Sequence, residues 1–347
     1  MLGIRFWQIL LIGTACNAVH AQSQLIQIAA TGDIMLGTDY PDNRLPDDDA
    51  MGFLRVVEPV LQAADIALGN LEGVLLAGGQ AAKSCANPQA CFLFRSPPHY
   101  AGYLRAAGFD VLSLANNHAR DFGEDGRTAT MAVLDEYALR HSGRRGDIAS
   151  WEQLGLRFAF IAFSPTLESY LLNDISTAVM EVMALAATHD IIIVSFHGGA
   201  EGPAATQLPF EEEFYFGETR GEVVRFAHEV IDAGADLVIG HGPHVPRAIE
   251  LYRERLIAYS LGNFATYYGV SVTGDAGLAP ILVAEIDREG RFARGRIHSA
   301  HQLRPHGPSW DPAQRAFNLI RRLTESTFAA EMFEFAADGS FTPVAGH

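Results

Sequence analysis

Eight runs of consecutive apolar and β-branched residues recur along the chain, and most of them end in a polar cluster. The runs are residues 25–30, 65–68, 109–114, 157–163, 191–196, 237–239, 256–260 and 280–286. Because the apolar residues are continuous rather than alternating, these runs are typical of strands that are covered on both faces of a sheet. A chain with this pattern needs other layers packed against its strands.

Amphipathic segments between the runs supply such layers. They predict helices at residues 52–64, 98–107, 126–140, 175–188 and 218–233. The alternation of strands and helices predicts an α/β fold with mainly parallel strands in its first half. Asp311-Pro312, a capping residue followed by proline at the first helical position, predicts a further helix near the C-terminus. No repeat or linker divides the chain, so we expect one domain over residues 22–304 and a helical extension packed on it over residues 305–347.

The polar clusters follow predicted strands. They are Gly32-Asp33, Asn70-Leu71-Glu72, Asn116-Asn117-His118, His197-Gly198-Gly199, Gly240-His241-Gly242-Pro243-His244 and Gly262-Asn263-Phe264. In open α/β sheets, ligands bind outside the carboxyl ends of the strands, so we expect carboxylates, carboxamides and four histidines at one sheet edge. Such a nitrogen and oxygen donor set suits Zn²⁺, Mn²⁺, Fe²⁺ or Ni²⁺. The residues themselves therefore predict a divalent-metal site.

Local sequence adds detail to this site. The glycines beside Asp33 predict a tight turn that presents its carboxylate above the sheet. In Asn117-His118, the carboxamide can act as a neutral metal ligand and the imidazole as a proton donor. The long connection at 198–216 contains Glu211-Glu212-Glu213 and is either a loop over the site or a solvated acidic turn.

Residues 1–21 have the features of a signal peptide. A basic start and a short apolar stretch precede the small-x-small triplet Val19-His20-Ala21, so Gln22 is the expected mature start. A second interpretation takes Ile12-Gly13-Thr14-Ala15-Cys16 as a lipobox, with Cys16 as a lipidated N-terminus. We favour simple cleavage, which predicts a periplasmic or extracellular protein.

Cysteine usage and charge limit the partners further. Cys85 and Cys91 lie on one short polar insertion, and a disulfide between them suits an oxidising compartment. The net charge of −16 leaves no basic stripe for phosphates, which argues against a nucleic-acid partner. No later stretch reaches the ~18 apolar residues of a membrane helix, so we expect no transmembrane helix in the mature chain.

The ordered motifs resemble the CapA family, the poly-γ-glutamate capsule biosynthesis type of the calcineurin-like metallophosphatase superfamily. The resemblance covers about residues 25–286 without a gap larger than a loop. The matching motifs are Gly32-Asp33-Ile34-Met35-Leu36-Gly37, Asn70-Leu71-Glu72, Leu114-Ala115-Asn116-Asn117-His118 with Asp121, His197-Gly198-Gly199 with Glu201, Gly240-His241-Gly242-Pro243-His244 and Tyr259-Ser260-Leu261-Gly262-Asn263-Phe264.

This resemblance implies a metallophosphatase-like, four-layer αββα sandwich with a two-metal cleft. It implies that Asp33 binds the first metal and that Glu72 bridges both metals. Asn117, His197 and His244 would complete the ligand set, and His118 would be the general acid. The remaining motif residues are expected as additional ligands or substrate contacts: His241, Asn70, Asp121, Glu201 and Asn263.

Three positions depart from the general superfamily pattern. Met35 stands where the first motif usually has histidine, and Glu72 stands where the bridging acid is usually aspartate. Gly242 interrupts the usual His-x-His motif, with His241 displaced by one position. Because a thioether is a poor ligand for a hard or borderline cation, we expect one tight site for Mn, Zn, Fe, Ni or Mg and at most one loose site beside it.

Two functions fit these expectations. In the first, an exported CapA-like protein of capsule or exopolymer biosynthesis hydrolyses a phosphoester or an anionic polymer of the poly-γ-glutamate type with a metal-dependent, phosphoesterase-like site. In the second, the protein is a non-catalytic binding or assembly component that works with other capsule-synthesis proteins. Met35 favours the second function, whereas His118 beside Asn117 favours the first, which we prefer.

Overall fold

The computed structural model describes residues 25–83, 91–328 and 331–344. The predicted signal peptide, the alternative lipidation site Cys16 and the predicted disulfide partner Cys85 lie outside these ranges. Cleavage, lipidation and the Cys85–Cys91 pairing therefore stay predictions.

Strands dominate the described part of the chain. In chain order they are β1 Ile26–Met35, β2 Ile66–Leu71, β3 Val74–Leu75, β4 Arg95–Ser96, β5 Val111–Ser113, β6 Arg140–Ser142, β7 Ala149–Gln153, β8 Leu156–Ser164, β9 Tyr170–Leu171, β10 Ile191–His197, β11 Glu213–Tyr215, β12 Glu218–Gly221, β13 Leu237–His241, β14 Ile249–Tyr252, β15 Arg255–Ala258, β16 Asn263–Thr266, β17 Ile281–Ile286, β18 Phe292–His298, β19 Ala300–Gln302, β20 Pro308–Trp310, β21 Phe333–Phe335 and β22 Ser340–Pro343. Each predicted strand has a counterpart among them.

The α-helices lie between these strands. They are α1 Glu58–Ala63, α2 Tyr100–Ala107, α3 Gly123–Glu136, α4 Ile175–Ala186, α5 Val223–Asp232 and α6 Arg315–Thr327. All five helices predicted between the strands are present, and α6 confirms the helix expected after Asp311-Pro312. Two of them were predicted too long at their N-terminal ends, because residues 52–57 form turns and residues 218–221 form β12. In the described residues, no helix has both the length and the apolar character needed to cross a bilayer.

The larger sheet combines strands from the beginning and from the end of the described chain. Its strand order is β21-β22-β18-β17-β1-β2-β5-β6, with β16 also paired to β1. Strands β1, β2, β5 and β6 are parallel neighbours, as the sequence predicts. Strands β17, β18, β22 and β21 continue the sheet in antiparallel pairs.

The smaller sheet comes from the middle of the chain. Its order is β14-β15-β13-β10-β8-β7, with β9 paired to β8. Its central strands β8, β10, β13 and β15 are parallel, and β14 and β7 are antiparallel edge strands. The carboxyl ends of both sets of parallel strands supply the polar clusters.

Burial on both faces explains the continuous apolar runs. Ile28 of β1 and Ile193 of β10 belong to a core that draws on both sheets. Their neighbours Ala29 and Val194 point the other way, into the packing of α1–α3 and of α4 and α5, respectively. The α/β class is therefore confirmed, and the four-layer αββα order stays a prediction.

The C-terminal segment is not purely helical, contrary to expectation. After α6, strands β21 and β22 extend the larger sheet through β18. Phe341 of β22 is almost fully buried and packs against Phe292 and Phe333. The alternation of apolar and polar residues in both segments is typical of strands with one buried face. The domain boundary at residues 304/305 stays a prediction.

Candidate metal centre

Asp33 lies inside β1 rather than in a turn beyond it. Its backbone N–H donates to the carbonyl of Gly262 at 2.9 Å, and the register of β1 against β2 and β16 shifts around it. Gly32 is needed because a Cβ atom there would overlap the Gly262 carbonyl. The glycine therefore permits a close approach of two backbones, not the tight turn expected from the sequence.

Asp33, Glu72 and His244 form the centre of the candidate site. One ligand atom from each lies within 4.8 Å of the other two. His244 places Nδ1 2.9 Å from the Asp33 carboxylate and Nε2 3.7 Å from Glu72 Oε1. Both carboxylates are almost completely buried.

Two further histidines come from the smaller sheet. His197 and His241 end the parallel strands β10 and β13, where they are register partners. His241 Nδ1 lies 3.6 Å from the Asp33 carboxylate, and the rings of His197 and His244 are 6.5 Å apart. The two sheets thus contribute to one cluster, as the shared strand-end positions predicted.

Unpaired buried donors make this cluster fit a divalent cation. Among the described residues, no hydrogen-bond partner exists for either oxygen of Glu72, either ring nitrogen of His197 or His241, or Oδ1 of Asn117. A buried polar atom without a partner is costly, and a cation would satisfy several of these atoms at once. Carboxylate, imidazole and carboxamide groups are suitable ligands for Zn²⁺, Mn²⁺ or Fe²⁺.

The protonation preferences agree with ligand roles for the histidines of the smaller sheet. Burial lowers the pKa of His241 to about 4 and that of His197 well below its usual value. Both rings are therefore neutral at pH 7 and keep a lone pair for a cation. His244 differs, because the carboxylates of Glu72 and Asp33 overcome its burial and raise its pKa to about 10.

Three asparagines form hydrogen bonds with residues of the cluster or with their neighbours. Asn70 donates to Asp33 Oδ1 at 2.9 Å and accepts from Asn116 at 3.0 Å, so it orients Asp33 rather than offering a free oxygen. Asn116 also accepts the backbone N–H of His118 at 3.0 Å. Asn263 places Oδ1 3.0 Å from His244 Nδ1 and donates to the His244 carbonyl.

His118 and Asp121 form a dyad beside the cluster. His118 Nδ1 lies 2.8 Å from Asp121 Oδ2, which also accepts the backbone N–H of Phe94 at 2.7 Å. The His118 ring stacks on Phe94 with ring centres 4.2 Å apart. Burial lowers the pKa of His118, although Asp121 opposes the effect. With Nδ1 held by Asp121, Nε2 is the nitrogen that can exchange a proton with a substrate.

The connection after β10 borders the site and contains a buried ion pair. Glu201 Oε2 is 3.8 Å from His244 Nε2, and Glu201 Oε1 is 2.8 Å from the Arg220 guanidinium. Glu213 is buried and pairs with both terminal nitrogens of Arg247, at 2.8 and 2.7 Å. Of the two interpretations of this segment, the loop at the site holds for Glu201. Glu211 and Glu212 are solvent-exposed, as in the acidic turn.

Sequence reasoning named the main members of the site but missed several of its neighbours. The ligand and general-acid roles stay predictions, although the geometry brings Asp33, Glu72, His241 and His244 together. Asn116, Lys83, Phe94 and Arg220 were given no role. Only Asn116 carried a usable signal, since it directly precedes Asn117-His118.

The chain belongs to the family described as bacterial capsule synthesis protein PGA_cap, which matches residues 27–268. The capsule biosynthesis protein CapA of Bacillus anthracis is 26% identical over 75% of this chain and 64% of its own length. The chain thus spans less than two thirds of that relative. The PGA biosynthesis protein CapA of Bacillus subtilis is 26% identical over 88% of this chain and 80% of its own length. The chain therefore belongs to a family whose named members include capsule and PGA biosynthesis proteins.

Among solved structures, the chain is similar to a 5'-nucleotidase precursor from Thermus thermophilus. The identity is 11%, the TM-score is 0.47, and the match covers 88% of this chain and 59% of that chain.

Proposed function

We propose that this protein is a metal-dependent hydrolase of the phosphoesterase type that acts in capsule or exopolymer biosynthesis. The observation that carries the proposal is the group of buried, unpaired ligand atoms on Glu72, His197 and His241 next to the His118–Asp121 dyad. A binding protein needs no oriented proton donor at its metal site, whereas a hydrolase does.

In this proposal, cation binding, proton donation and ligand orientation belong to different residues. Asp33, Glu72, Asn117, His197, His241 and His244 would hold the cation, which supplies Lewis-acid polarisation of the scissile group when bound. Asp121 fixes the His118 ring and favours its imidazolium form, in which Nε2 carries the proton that goes to the leaving atom of the substrate. Asn70 and Asn263 keep Asp33 and His244 in place through their side-chain amides.

Hydrolysis by the metal-loaded protein tests this function. We expect Mn²⁺- or Zn²⁺-loaded protein to release p-nitrophenol from bis(p-nitrophenyl) phosphate or p-nitrophenyl phosphate, and chelation to stop it. γ-Linked glutamate oligomers are the second substrate class, followed by mass spectrometry. If loaded protein hydrolyses neither class, the hydrolase proposal fails.

Met35 supports a second candidate, a non-catalytic component of exopolymer assembly. Its buried thioether occupies the position of a usual histidine ligand, which weakens the first metal position. The non-catalytic function would be favoured if a His118→Asn variant still supports exopolymer formation by cells that lack the wild-type gene.

We also propose that the protein is exported and cleaved after Ala21. The predicted signal segment supports this proposal. Intact-mass measurement of the protein from the producing cell should give a mature chain that begins at Gln22. A lipidated chain that begins at Cys16 would instead establish the lipoprotein interpretation.

A further inference from the structure

Lys83 is the sole lysine in a sequence of 347 residues with 25 lysines and arginines. Every other lysine or arginine position is arginine, including those in exposed ion pairs such as Arg294–Glu285 and Arg296–Asp338. Arginine is therefore the ordinary surface cation of this protein, and the position of its one lysine can indicate a specific role.

The structure packs the segment that carries Lys83 against the segment that carries His118. The backbone N–H groups of Ala82 and Lys83 both donate to the carbonyl of Asp121, at 2.9 and 3.1 Å. The Lys83 ammonium lies 3.3 Å from Asp121 Oδ1 and 3.3 Å from the carbonyl of Asn117. It therefore contacts Asn117, which directly precedes His118, and Asp121, the hydrogen-bond partner of the His118 ring.

Lys83 also has access to solvent that the neighbouring Arg220 lacks. Arg220, beside Glu201, has a side chain only 2% exposed, and its guanidinium is engaged by Glu201 and the Gly199 carbonyl. The Lys83 side chain is 28% exposed, and its ammonium group has three N–H donors, of which the Asn117 carbonyl accepts one and at most one other faces Asp121 in the ion pair. One donor is thus available to a molecule that enters from solvent.

Charge favours an anion as that molecule. The protein carries a net charge of −16, which repels anionic ligands, so an anion site needs local cations. Lysine ammonium groups bind phosphate and carboxylate as point charges.

We propose that Lys83 binds an anionic group of the substrate, a phosphate or a carboxylate, next to the atom that His118 protonates. This inference rests on the proposed function for the role of His118, but it makes a separate claim about binding. It assigns the site to polyanionic rather than neutral substrates. Lys83 would bind the anionic group, and His118 would donate the proton to the leaving atom beside it.

Lysine-selective labelling of the metal-loaded wild-type chain gives the most direct test. Reductive dimethylation modifies only Lys83 and the α-amino group, and peptide mass spectrometry separates the two. We expect inorganic phosphate or a γ-linked glutamate oligomer to slow Lys83 labelling in proportion to occupancy, without slowing that of the α-amino group. The more protective anion identifies a phosphoester or a carboxylate polymer as the source of the group. If neither anion protects Lys83, the proposal is wrong.

Matched variants give the second test. Lys83→Gln should weaken binding of the protecting anion about 10- to 100-fold, the expected result of losing one charge-assisted hydrogen bond. KM for a hydrolysed anionic substrate should rise similarly with little change in kcat, and Lys83→Arg should retain much of the affinity. The control Arg294→Gln removes the same charge from β18, where Arg294 pairs with Glu285. Glu285 is the register partner of Gln27, which lies at the opposite end of β1 from Asp33, so this control is remote from the site.

The outcomes separate this inference from the proposed hydrolase. Lys83-dependent anion binding without any hydrolysis would leave the inference standing and remove the enzyme function. Unchanged anion affinity in Lys83→Gln would overturn the inference even if hydrolysis is confirmed. Loss of bound metal in Lys83→Gln, with no protection of the wild type, would assign Lys83 a structural role instead.

Discussion

Replacing Glu72 with glutamine is expected to leave the purified protein without tightly bound metal, whereas the wild type should carry one tight equivalent. Glu72 offers two buried, unpaired oxygens within reach of Asp33 and His244. The substitution removes a negative charge and turns one oxygen into an N–H₂ donor. Changes to residues that only support a metal ligand already cost roughly 10- to 100-fold in affinity, so a ligand change should cost at least about 100-fold. Elemental analysis and calorimetric metal titration measure the effect.

The same variant should not be less stable when metal is absent. Burial raises the pKa of Glu72 to about 8, because the carboxylate has little compensation for leaving water. A neutral glutamine avoids that cost, so in chelator Glu72→Gln should unfold at the same or higher denaturant concentration. Added metal should stabilise only the wild type, by about 2.7 kcal/mol at 100 times Kd.

Exposed Glu211 provides the charge-matched control, since Glu211→Gln should change neither metal content nor stability. Retention of tight metal by Glu72→Gln would contradict the assigned site. Two equally tight sites in the wild type would mean that His241, buried beside Asp33, serves a second cation in the role that Met35 cannot fill.

The sequence predicted the strands well because their burial is local information. Residues such as Ile28 and Ala29 are both buried, on opposite faces, so each strand appears as an unbroken apolar run. Features that depend on distant pairing were predicted less well. The sequence pattern predicts the start of a helix at residues 218–221, but these residues pair with β11, and Arg220 among them forms an ion pair with Glu201.

The same contrast between local sequence signals and contacts between distant residues applies to the site. Residues at strand ends could be predicted to meet because the topology brings parallel strand ends together. Lys83 could not, because its importance arises from a loop packing on Asp121, a contact that no local pattern encodes. The true reason for Gly32 was also hidden, since the close carbonyl belongs to Gly262.

Replacing His118 with asparagine is expected to lower turnover by about 10²- to 10⁴-fold while leaving the metal content nearly unchanged. His118 lies beside the cluster but is not expected to be a metal ligand. Its Nδ1 is held by Asp121 at 2.8 Å, and its ring stacks on Phe94. Asparagine preserves polarity but has no group that donates a proton at neutral pH. The measurements are kcat with an aryl phosphoester and elemental analysis of the same sample.

Two comparisons make the result specific to proton donation. His99, an exposed histidine that pairs with Asp49, gives the control His99→Asn, which should keep full activity. Asn117→Ala should lose metal as well as turnover, since the unpaired Asn117 Oδ1 is expected to bind the cation. A substrate with a good leaving group needs little protonation, so His118→Asn should lose less activity on a p-nitrophenyl ester than on an alkyl ester. Equal losses on both esters, or loss of metal from His118→Asn, would show that His118 supports the site instead of donating the proton.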